Sequence, residues 1–421
     1  MAALKVAGTV RVPGDKSISH RALILGALAN GRSQVRGILD SEDVRSTAGV
    51  LRALGAPIGD IAGDMRIEGV GLRGLRQPQQ SLDCGNSGTT TRLMAGVAAA
   101  HPFASRFEGD ASLSRRPMKR IAEPLSSMGA RFEFASGDGL PMTIHGADLR
   151  SIDWDTRAAS AQVKSAIILG GLVAGVEVRV TEKSPSRDHT ERMLRAMGVD
   201  IENDGKQVCL RPAKRLAAMQ IDVPGDPSSA AFFVALAALA SGGSLLLTDV
   251  LLNPTRTGFI EAMKRMGARI DLLDTTETGG EATGKLRVLP SELQSVSVGA
   301  DEVPSLIDEL PLLACTAAAA GIDLEITGAE ELRVKESDRI ATVVHNLRGV
   351  GAEVEELPDG LRVIGGRRNL EGAIDPRGDH RIAMAFGILS AASGNRIKVM
   401  NPECVAVSYP GFWNDLRRVT A

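Results

Sequence analysis

VPGDKSISHRALILGALANG, residues 12–31, reads as a turn running into an apolar helix, and it occurs twice. Set without gaps against VPGDPSSAAFFVALAALASG at 223–242, it matches at 10 of 20 positions, where chance gives roughly one or two. The copies start 211 residues apart in a chain of 421, so the protein reads as two similar halves. Proline is favoured at the first helical position, so Pro227 makes Asp226 an N-cap. By the repeat, Asp15 is the N-cap of the first copy and Lys16 its first helical residue.

A finer period runs inside each half. LRALGA, LSSMGA, LRAMGV, MKRMGA and LRGVGA place Gly55, Gly129, Gly198, Gly267 and Gly351 at intervals of 69 to 84 residues, and LRRVTA repeats the pattern without glycine at the C-terminus. Each reads as the end of an amphipathic helix, with glycine taking the left-handed cap. Alternating segments such as ARFEF, VDIE and ARIDLL follow and read as strands. A second helix family starts at PGDKSIS, CGNSGTTTR, ASAQVKS, PGDPSSA, SLIDELP and GDHRIAM. Its bodies have almost no polar face and should be buried on every side. The pattern predicts an α/β protein of six related units, three per half, with helices inside and sheets outside.

Composition narrows the function classes. At 43% hydrophobic and 24% charged the chain is an ordinary globular one. A net charge of −2 and 3% aromatics disfavour a nucleic-acid binder. No signal-peptide core is visible and no apolar run reaches spanning length, so a cytoplasmic protein without membrane attachment is expected. Cys84, Cys209, Cys315 and Cys404 stand apart, without C-x-x-C spacing, and read as reduced thiols. H-x-x-H, H-E-x-x-H and EF-hand spacings are missing, so no metal site is expected.

The duplicate separates scaffold from chemistry. Pro13, Gly14, Asp15, Ser17, Leu25, Ala27, Leu28 and Ala29 recur in the second copy, whereas Lys16, His20 and Arg21 become Pro227, Ala231 and Phe232. A bland reading makes Lys16 and Arg21 solvated charges, or pairs Arg21 with Asp15. Against it, cations at a helix N-terminus are unfavourable by roughly 0.3–1 kcal/mol unless an anion offsets them. Free backbone N–H groups, Ser17 and two cations at one point describe a phosphate or carboxylate site.

Other helix starts extend the pattern. DCGNSGTTTRL is a glycine-rich turn with Arg92, and it lacks the G-K-[ST] ending of a Walker A loop. ASAQVKS offers Ser160, Gln162 and Lys164, while SLSRRPMKR and SRDHTERM add Arg115, Arg116 and Arg187. LRVKESDRI sets Lys335 and Arg339 at i, i+4 on one helical face, and GDHRIAM adds Arg381. Asp308 sits among apolar residues, where an N-cap is the plain reading, and Glu336 invites a salt bridge to Arg339.

Taken together, PGDKSISHRA, NSGTTTRL, GDASLSRRPM, SAQVKSA, SRDHTERM, GDPSSAAFF, NPTRTG, LRVKESDRI, DHRIAMA and SYPGFW resemble the 5-enolpyruvylshikimate-3-phosphate synthase family over essentially the full length. The resemblance implies the enolpyruvyl transferase fold, two inside-out α/β barrel domains of three βαβαββ units each. With crossings at the two PGD turns, 1–14 plus 226–421 form one domain and 15–225 the other, and the active site is expected in the interdomain cleft.

The implied reaction transfers the enolpyruvyl group of phosphoenolpyruvate to the 5-hydroxyl of shikimate 3-phosphate through a tetrahedral intermediate, releasing phosphate. It belongs to the shikimate pathway toward chorismate and the aromatic amino acids, and uses no cofactor. By resemblance Lys16, Ser17, Arg21, Ser160, Ala161, Gln162, Arg187, Asp308 and Lys335 hold shikimate 3-phosphate. Lys16, Gly88, Arg116, Gln162, Arg339 and Arg381 hold phosphoenolpyruvate. Asp308 takes the hydroxyl proton, and Glu336 with Lys16 handles the proton at C3. A monomer is expected. Gly88 marks the position where a methyl group excludes the inhibitor glyphosate in this family, so glyphosate sensitivity is expected. One departure is Val407, where some members carry a lysine. Rival readings are the UDP-N-acetylglucosamine enolpyruvyl transferase, whose loop cysteine is missing from GDASLSRRPM, a non-catalytic phosphate-binding repeat protein, and an RNA-end-processing relative.

Overall fold

The computed structural model describes residues 4–156, 160–366, 369–392 and 394–420. Of the motif residues quoted above, Ala159 and Ala421 lie outside the described residues. The chain forms two compact units: a terminal unit of Met1–Pro13, Pro224–Thr276 and Ala282–Ala421, and a mid-chain unit of Gly14–Val223 and Glu277–Glu281. The chain passes between them at the two PGD turns, after Pro13 and after Val223, and again on either side of Glu277–Glu281. Both turn glycines are sterically required. A Cβ on Gly14 would stand 2.1 Å from Gly37 O, and one on Gly225 2.8 Å from Val12 Cγ2.

The expectation that 226–421 falls wholly in one domain is corrected at Glu277–Glu281. These residues are the tip of a long hairpin, Arg269–Thr278 with Glu281–Leu289. Glu281 is completely buried there, its Oε1 2.6 Å from His189 Nδ1. A charge sequestered to that degree needs such a partner, and local sequence gives no sign of one so far along the chain.

In the mid-chain unit the apolar helices Lys16–Leu28, Gly88–Ala99 and Ala161–Ala174 form the interior; every residue from Ile18 to Leu28 is buried, as is every residue from Val163 to Val173. The amphipathic helices Glu42–Ala53, Lys119–Met128 and His189–Ala196 present polar residues outward. Three small sheets complete the unit. Two share one plan: Leu82–Asp83 runs parallel to Ala104–Glu108, and Ile152–Asp155 parallel to Val178–Thr181, each pair extended by an antiparallel hairpin. In the third, Asn30–Arg36 pairs in parallel with Gln220–Asp222, a strand from the far end of the unit.

The terminal unit repeats the plan around Pro227–Ala238, Leu310–Ala320 and His380–Ala391. Its N-terminal strand Gly8–Arg11 lies parallel to Leu245–Leu251. The segment Val303–Ala320 is long and apolar enough to cross a membrane by composition, but it is interrupted by a 3-10 turn and is 67% buried inside the protein.

The periodic glycines do what the pattern predicts. Gly55, Gly129, Gly198, Gly267 and Gly351 all have positive φ. At each, the glycine N–H and the next N–H return to carbonyls of the last helical turn, as Gly129 N does to Ser126 O and Ala130 N to Leu125 O. The N-caps also form: Asp15 Oδ1 accepts from Ile18 N at 2.8 Å and Asp226 Oδ1 from Ser228 N at 2.8 Å. Each such cap contributes about 1 kcal/mol.

Candidate active site

Two clusters of charged side chains stand at helix starts, one in each unit. In the mid-chain unit Arg21 is buried one turn into its helix. It donates from Nε to Thr190 Oγ1 (2.7 Å), from Nη2 to Ser165 Oγ (2.9 Å) and from Nη1 to Ser17 O (3.0 Å). It therefore gathers the starts of three helices around one guanidinium. Burial lowers its pKa from 12.5 to about 10, with partial relief from Glu191 and Asp15, so it stays charged at neutral pH. Lys16 Nζ lies 2.9 Å from Asp43 Oδ2.

His20, one residue before Arg21, is no third cation. Complete burial pushes its pKa down to about 3 and it is neutral. Its Nδ1 shares a 2.7 Å hydrogen bond with Thr47 Oγ1, which in turn meets Thr90 Oγ1 at 2.7 Å.

The glycine-rich turn brings Gly88 beside two arginines, and a Cβ there would lie 3.3 Å from both Arg116 Nη1 and Arg92 Nη1. Arg116 donates to Asn86 Oδ1 at 2.5 Å and to Ser112 Oγ at 3.4 Å. Gln162 accepts from Arg92 and donates to Thr89 Oγ1 at 3.0 Å. Gly88, Arg116 and Gln162 are thus one cluster, and Arg92 joins it. Of the neighbouring pair, Arg116 turns inward while Arg115 is exposed. Ser160 is the N-cap of the helix that Ala161 and Gln162 begin. Arg187 is half-buried and close enough to Arg21 to repel it.

Lys164 corrects the reading of ASAQVKS as a cation-bearing start. Its ammonium is interior, 1% exposed, 2.7 Å from Glu182 Oε2 and 2.9 Å from Glu191 Oε1. The helix has turned by then, so its side chain meets neighbouring elements and not the start of its own helix.

In the terminal unit Arg339 is the centre. Its Nε is 2.8 Å from Asp379 Oδ2, Nη1 3.2 Å from Asp308 Oδ1 and Nη2 2.5 Å from Glu336 Oε2. Burial alone would lower its pKa, but Asp379, Glu336 and Asp308 outweigh that and hold it above the ordinary arginine value. Arg381 lies 3.4 Å from Asp308 Oδ2 and 3.4 Å from Glu309 Oε1. Asp308 sits in the 3-10 turn Ile307–Glu309, and the N-cap position of the helix beyond is Glu309. The helical face expected for Lys335 and Arg339 is not formed, because the helix begins at Arg339 and Lys335 precedes it in extended backbone.

Asp43, Asp379 and Glu309 belong to these clusters without having been assigned to them from sequence, and Arg92, read there as the cation of its helix start, is a neighbour of Gly88 and Gln162. Asp379 carries the one usable signal, an N-cap aspartate before HRIAM, and it accepts from Arg381 N at 3.0 Å. Among the described residues Asp188, His189 and Glu281 also bring ligand-type atoms within 4.8 Å of one another. Positive charge there comes from Arg192, 2.8 Å from Asp188 and 3.8 Å from Glu281.

The pattern of the EPSP synthase (3-phosphoshikimate 1-carboxyvinyltransferase) family matches residues 2–416. A 3-phosphoshikimate 1-carboxyvinyltransferase from Acidithiobacillus ferrooxidans is 50% identical over 97% of this chain and 94% of its own length. One from Sulfurihydrogenibium sp. is 47% identical over 99% and 98%. The solved EPSP synthase of Acinetobacter baumannii superimposes with a TM-score of 0.88 at 41% identity, covering 100% of this chain and 97% of that one. The enolpyruvyl transferase NikO from Streptomyces tendae, at 16% identity and a TM-score of 0.76 over 99% of this chain and 95% of its own, shares the fold. The chain belongs to the EPSP synthase family.

Proposed function

We propose that the protein is a 3-phosphoshikimate 1-carboxyvinyltransferase that joins phosphoenolpyruvate to the 5-hydroxyl of shikimate 3-phosphate and releases phosphate. The observation that carries the reading is the pairing of an anion-adapted cluster with a carboxylate–arginine lattice, in a chain whose relatives bear that activity's name. Lys16, Ser17, Arg21, Ser160, Ala161, Gln162 and Arg187, with Lys335, take the phosphate and hydroxyls of shikimate 3-phosphate. Lys16, Gly88, Arg116, Gln162, Arg339 and Arg381 take phosphoenolpyruvate.

Chemically, the step needs a base at the attacking hydroxyl, an acid at C3 and cations around the departing phosphate. Asp308 accepts the hydroxyl proton. Its carboxylate is oriented by two guanidiniums, 3.2 and 3.4 Å away, which leave it little rotational freedom. Glu336, fixed against Arg339, exchanges the C3 proton together with Lys16. Val407 contributes no charge, so the phosphate relies on Lys16, Arg116, Arg339 and Arg381.

Glyphosate is the inhibitor class this site accepts, because Gly88 leaves open the space that a methyl group would fill beside Arg92 and Arg116. The four free cysteines fit a reducing, cytoplasmic setting, and one chain carries both clusters, as a monomer requires. Phosphate release tests the proposal. It should occur with phosphoenolpyruvate and shikimate 3-phosphate together. Release with UDP-N-acetylglucosamine as acceptor, or tight binding without turnover, would overturn it.

A further inference from the structure

We propose that two hairpin turns act as positioning elements for the substrate loops beside them. Asp359 and Arg333 set the Lys335–Glu336 loop, and Asp138 sets the Arg116 loop. The inference rests on the roles given above to those loops.

Lys335 and Glu336 follow the 3-10 turn Glu330–Val334 and precede the helix Arg339–Gly349. The stretch between is short, partly exposed and irregular, so its shape is imposed from outside. The turn between strands Glu353–Leu357 and Gly360–Ile364 supplies the hold. Asp359 Oδ2 accepts from Gly328 N at 2.7 Å, and Asp359 O accepts from Ala329 N at 2.6 Å. Arg333 reaches back to the same turn, donating from Nε to Pro358 O (2.8 Å) and from Nη2 to Leu357 O (2.7 Å). Its Nη1 meets Glu356 Oε1 and Asp338 Oδ2, each at 2.9 Å. Arg333 lies two residues before Lys335 and Asp338 two after Glu336. The guanidinium therefore closes a ring, and the arc it spans, residues 334–337, contains Lys335 and Glu336. Asp338 also accepts from Ala341 N at 3.0 Å, tying that ring to the helix that begins with Arg339.

The mid-chain unit uses the turn at the same place in its repeat, but there the aspartate holds the far end of the loop, after the 3-10 turn Leu113–Arg115. Asp138 stands between strands Arg131–Phe134 and Met142–His145. Its Oδ1 accepts from Met118 N (3.1 Å) and Lys119 N (2.5 Å), and its carbonyl accepts from Met118 N at 2.8 Å. Leu140 N donates to Ser114 O at 3.2 Å. Contact is so close that a Cβ on Gly139 would stand 1.8 Å from Ser114 O. Arg116 is thus bracketed on both sides by one turn.

A turn aspartate ordinarily closes its own turn. These two give side-chain and main-chain oxygens to a neighbouring loop instead, and each of those loops carries an assigned site residue. A displacement of about 1 Å at a reacting group costs on the order of a hundredfold in rate, so a clamp acting through Lys335 and Glu336 is visible in turnover.

The test is steady-state kinetics for both substrates, beside thermal unfolding, on Arg333→Gln, Arg333→Lys, Asp359→Asn and Asp138→Asn in the full chain. Arg333→Gln and Asp359→Asn should lower kcat about tenfold and raise KM for shikimate 3-phosphate at least about threefold, with KM for phosphoenolpyruvate within about twofold. Asp138→Asn should show the opposite split. Arg333→Lys keeps the charge without the fork and should fall between Arg333→Gln and the parent. A merely destabilised protein loses active fraction without splitting the two KM values. Folded variants whose KM values move together, or not at all, would overturn the proposal, and if Arg333→Gln does not fold, Asp359→Asn decides. Lys335→Met and Glu336→Gln run alongside. If those leave turnover intact, the loop assignment itself fails; if they cripple it while the clamp variants do not, only the clamp fails.

Discussion

Arg21 and Arg339 are both buried arginines near helix starts, yet their surroundings differ in kind. Arg21 hands its protons to two hydroxyls and a carbonyl, and burial lowers its pKa to about 10. Arg339 faces Asp379, Glu336 and Asp308, which more than offset burial and raise its pKa. The direction of shift reports where the countercharge comes from. Around Arg339 the protein supplies it, so that cluster is suited to holding carboxylates in fixed orientation for proton transfer. Around Arg21, Glu191 and Asp15 offset burial only in part, so that cluster gains most when an anionic ligand arrives.

The sharpest way to break this contrast is at Asp308. Asp308→Asn should reduce kcat by about a thousandfold while shikimate 3-phosphate binding, read by calorimetry, changes by less than about tenfold. Equal losses of both would make Asp308 a binding group and erase the distinction. Lys16→Met should lower kcat/KM by at least about a hundredfold with the unfolding temperature nearly unchanged; a collapsed melting transition would recast its ion pair with Asp43 as structural.

A smaller effect sharpens the anion side. Arg21→Lys keeps the charge but cannot serve three acceptors, and should raise KM for shikimate 3-phosphate by about tenfold with kcat within about threefold. Gly88→Ala should raise KM for phosphoenolpyruvate only a few-fold, roughly, while weakening glyphosate inhibition by a larger factor, because the methyl presses on Arg92 and Arg116. The smallest effect on turnover is at His20. Its folded pKa of about 3 lies below the ordinary 6.5, so the unfolded chain binds more protons between those values. Its contribution is present above pH 6.5 and is lost as pH falls toward 3, by roughly 4 to 5 kcal/mol in all. His20→Gln should flatten that acid limb in denaturant titrations and leave the neutral-pH rate within about twofold.

The scaffold was legible because it is local and repeated. A glycine that must take positive φ leaves its mark within one helical turn, and Gly55, Gly129, Gly198, Gly267 and Gly351 do so five times. Asp15 and Asp226 cap helices that the adjacent residues already announce. The partners of the charged residues are another matter. Asp43 reaches Lys16 across 27 residues, Thr190 reaches Arg21 across 169 and Asp379 reaches Arg339 across 40. No local pattern encodes such pairings. Lys164 shows the cost: its spacing placed it with the substrate cations, and only the packing of Glu182 and Glu191 reveals an internal charge. The tip Glu277–Glu281 went astray for the same reason, since the partner of Glu281 lies 92 residues upstream.

The parallel pairing of Gly8–Arg11 with Leu245–Leu251 sets a schedule for biosynthesis. Val10, completely buried in the finished protein, leaves the ribosome long before Leu247 exists to receive it. At roughly 5–20 residues per second the interval is roughly ten to fifty seconds. During that time Gly14–Val223, all of the mid-chain unit except the tip Glu277–Glu281, can be made and can close on its own late strand, Gln220–Asp222. The nascent N-terminus meanwhile trails as an unpaired edge, and its docking onto the terminal unit is necessarily a late event in the assembly of the chain.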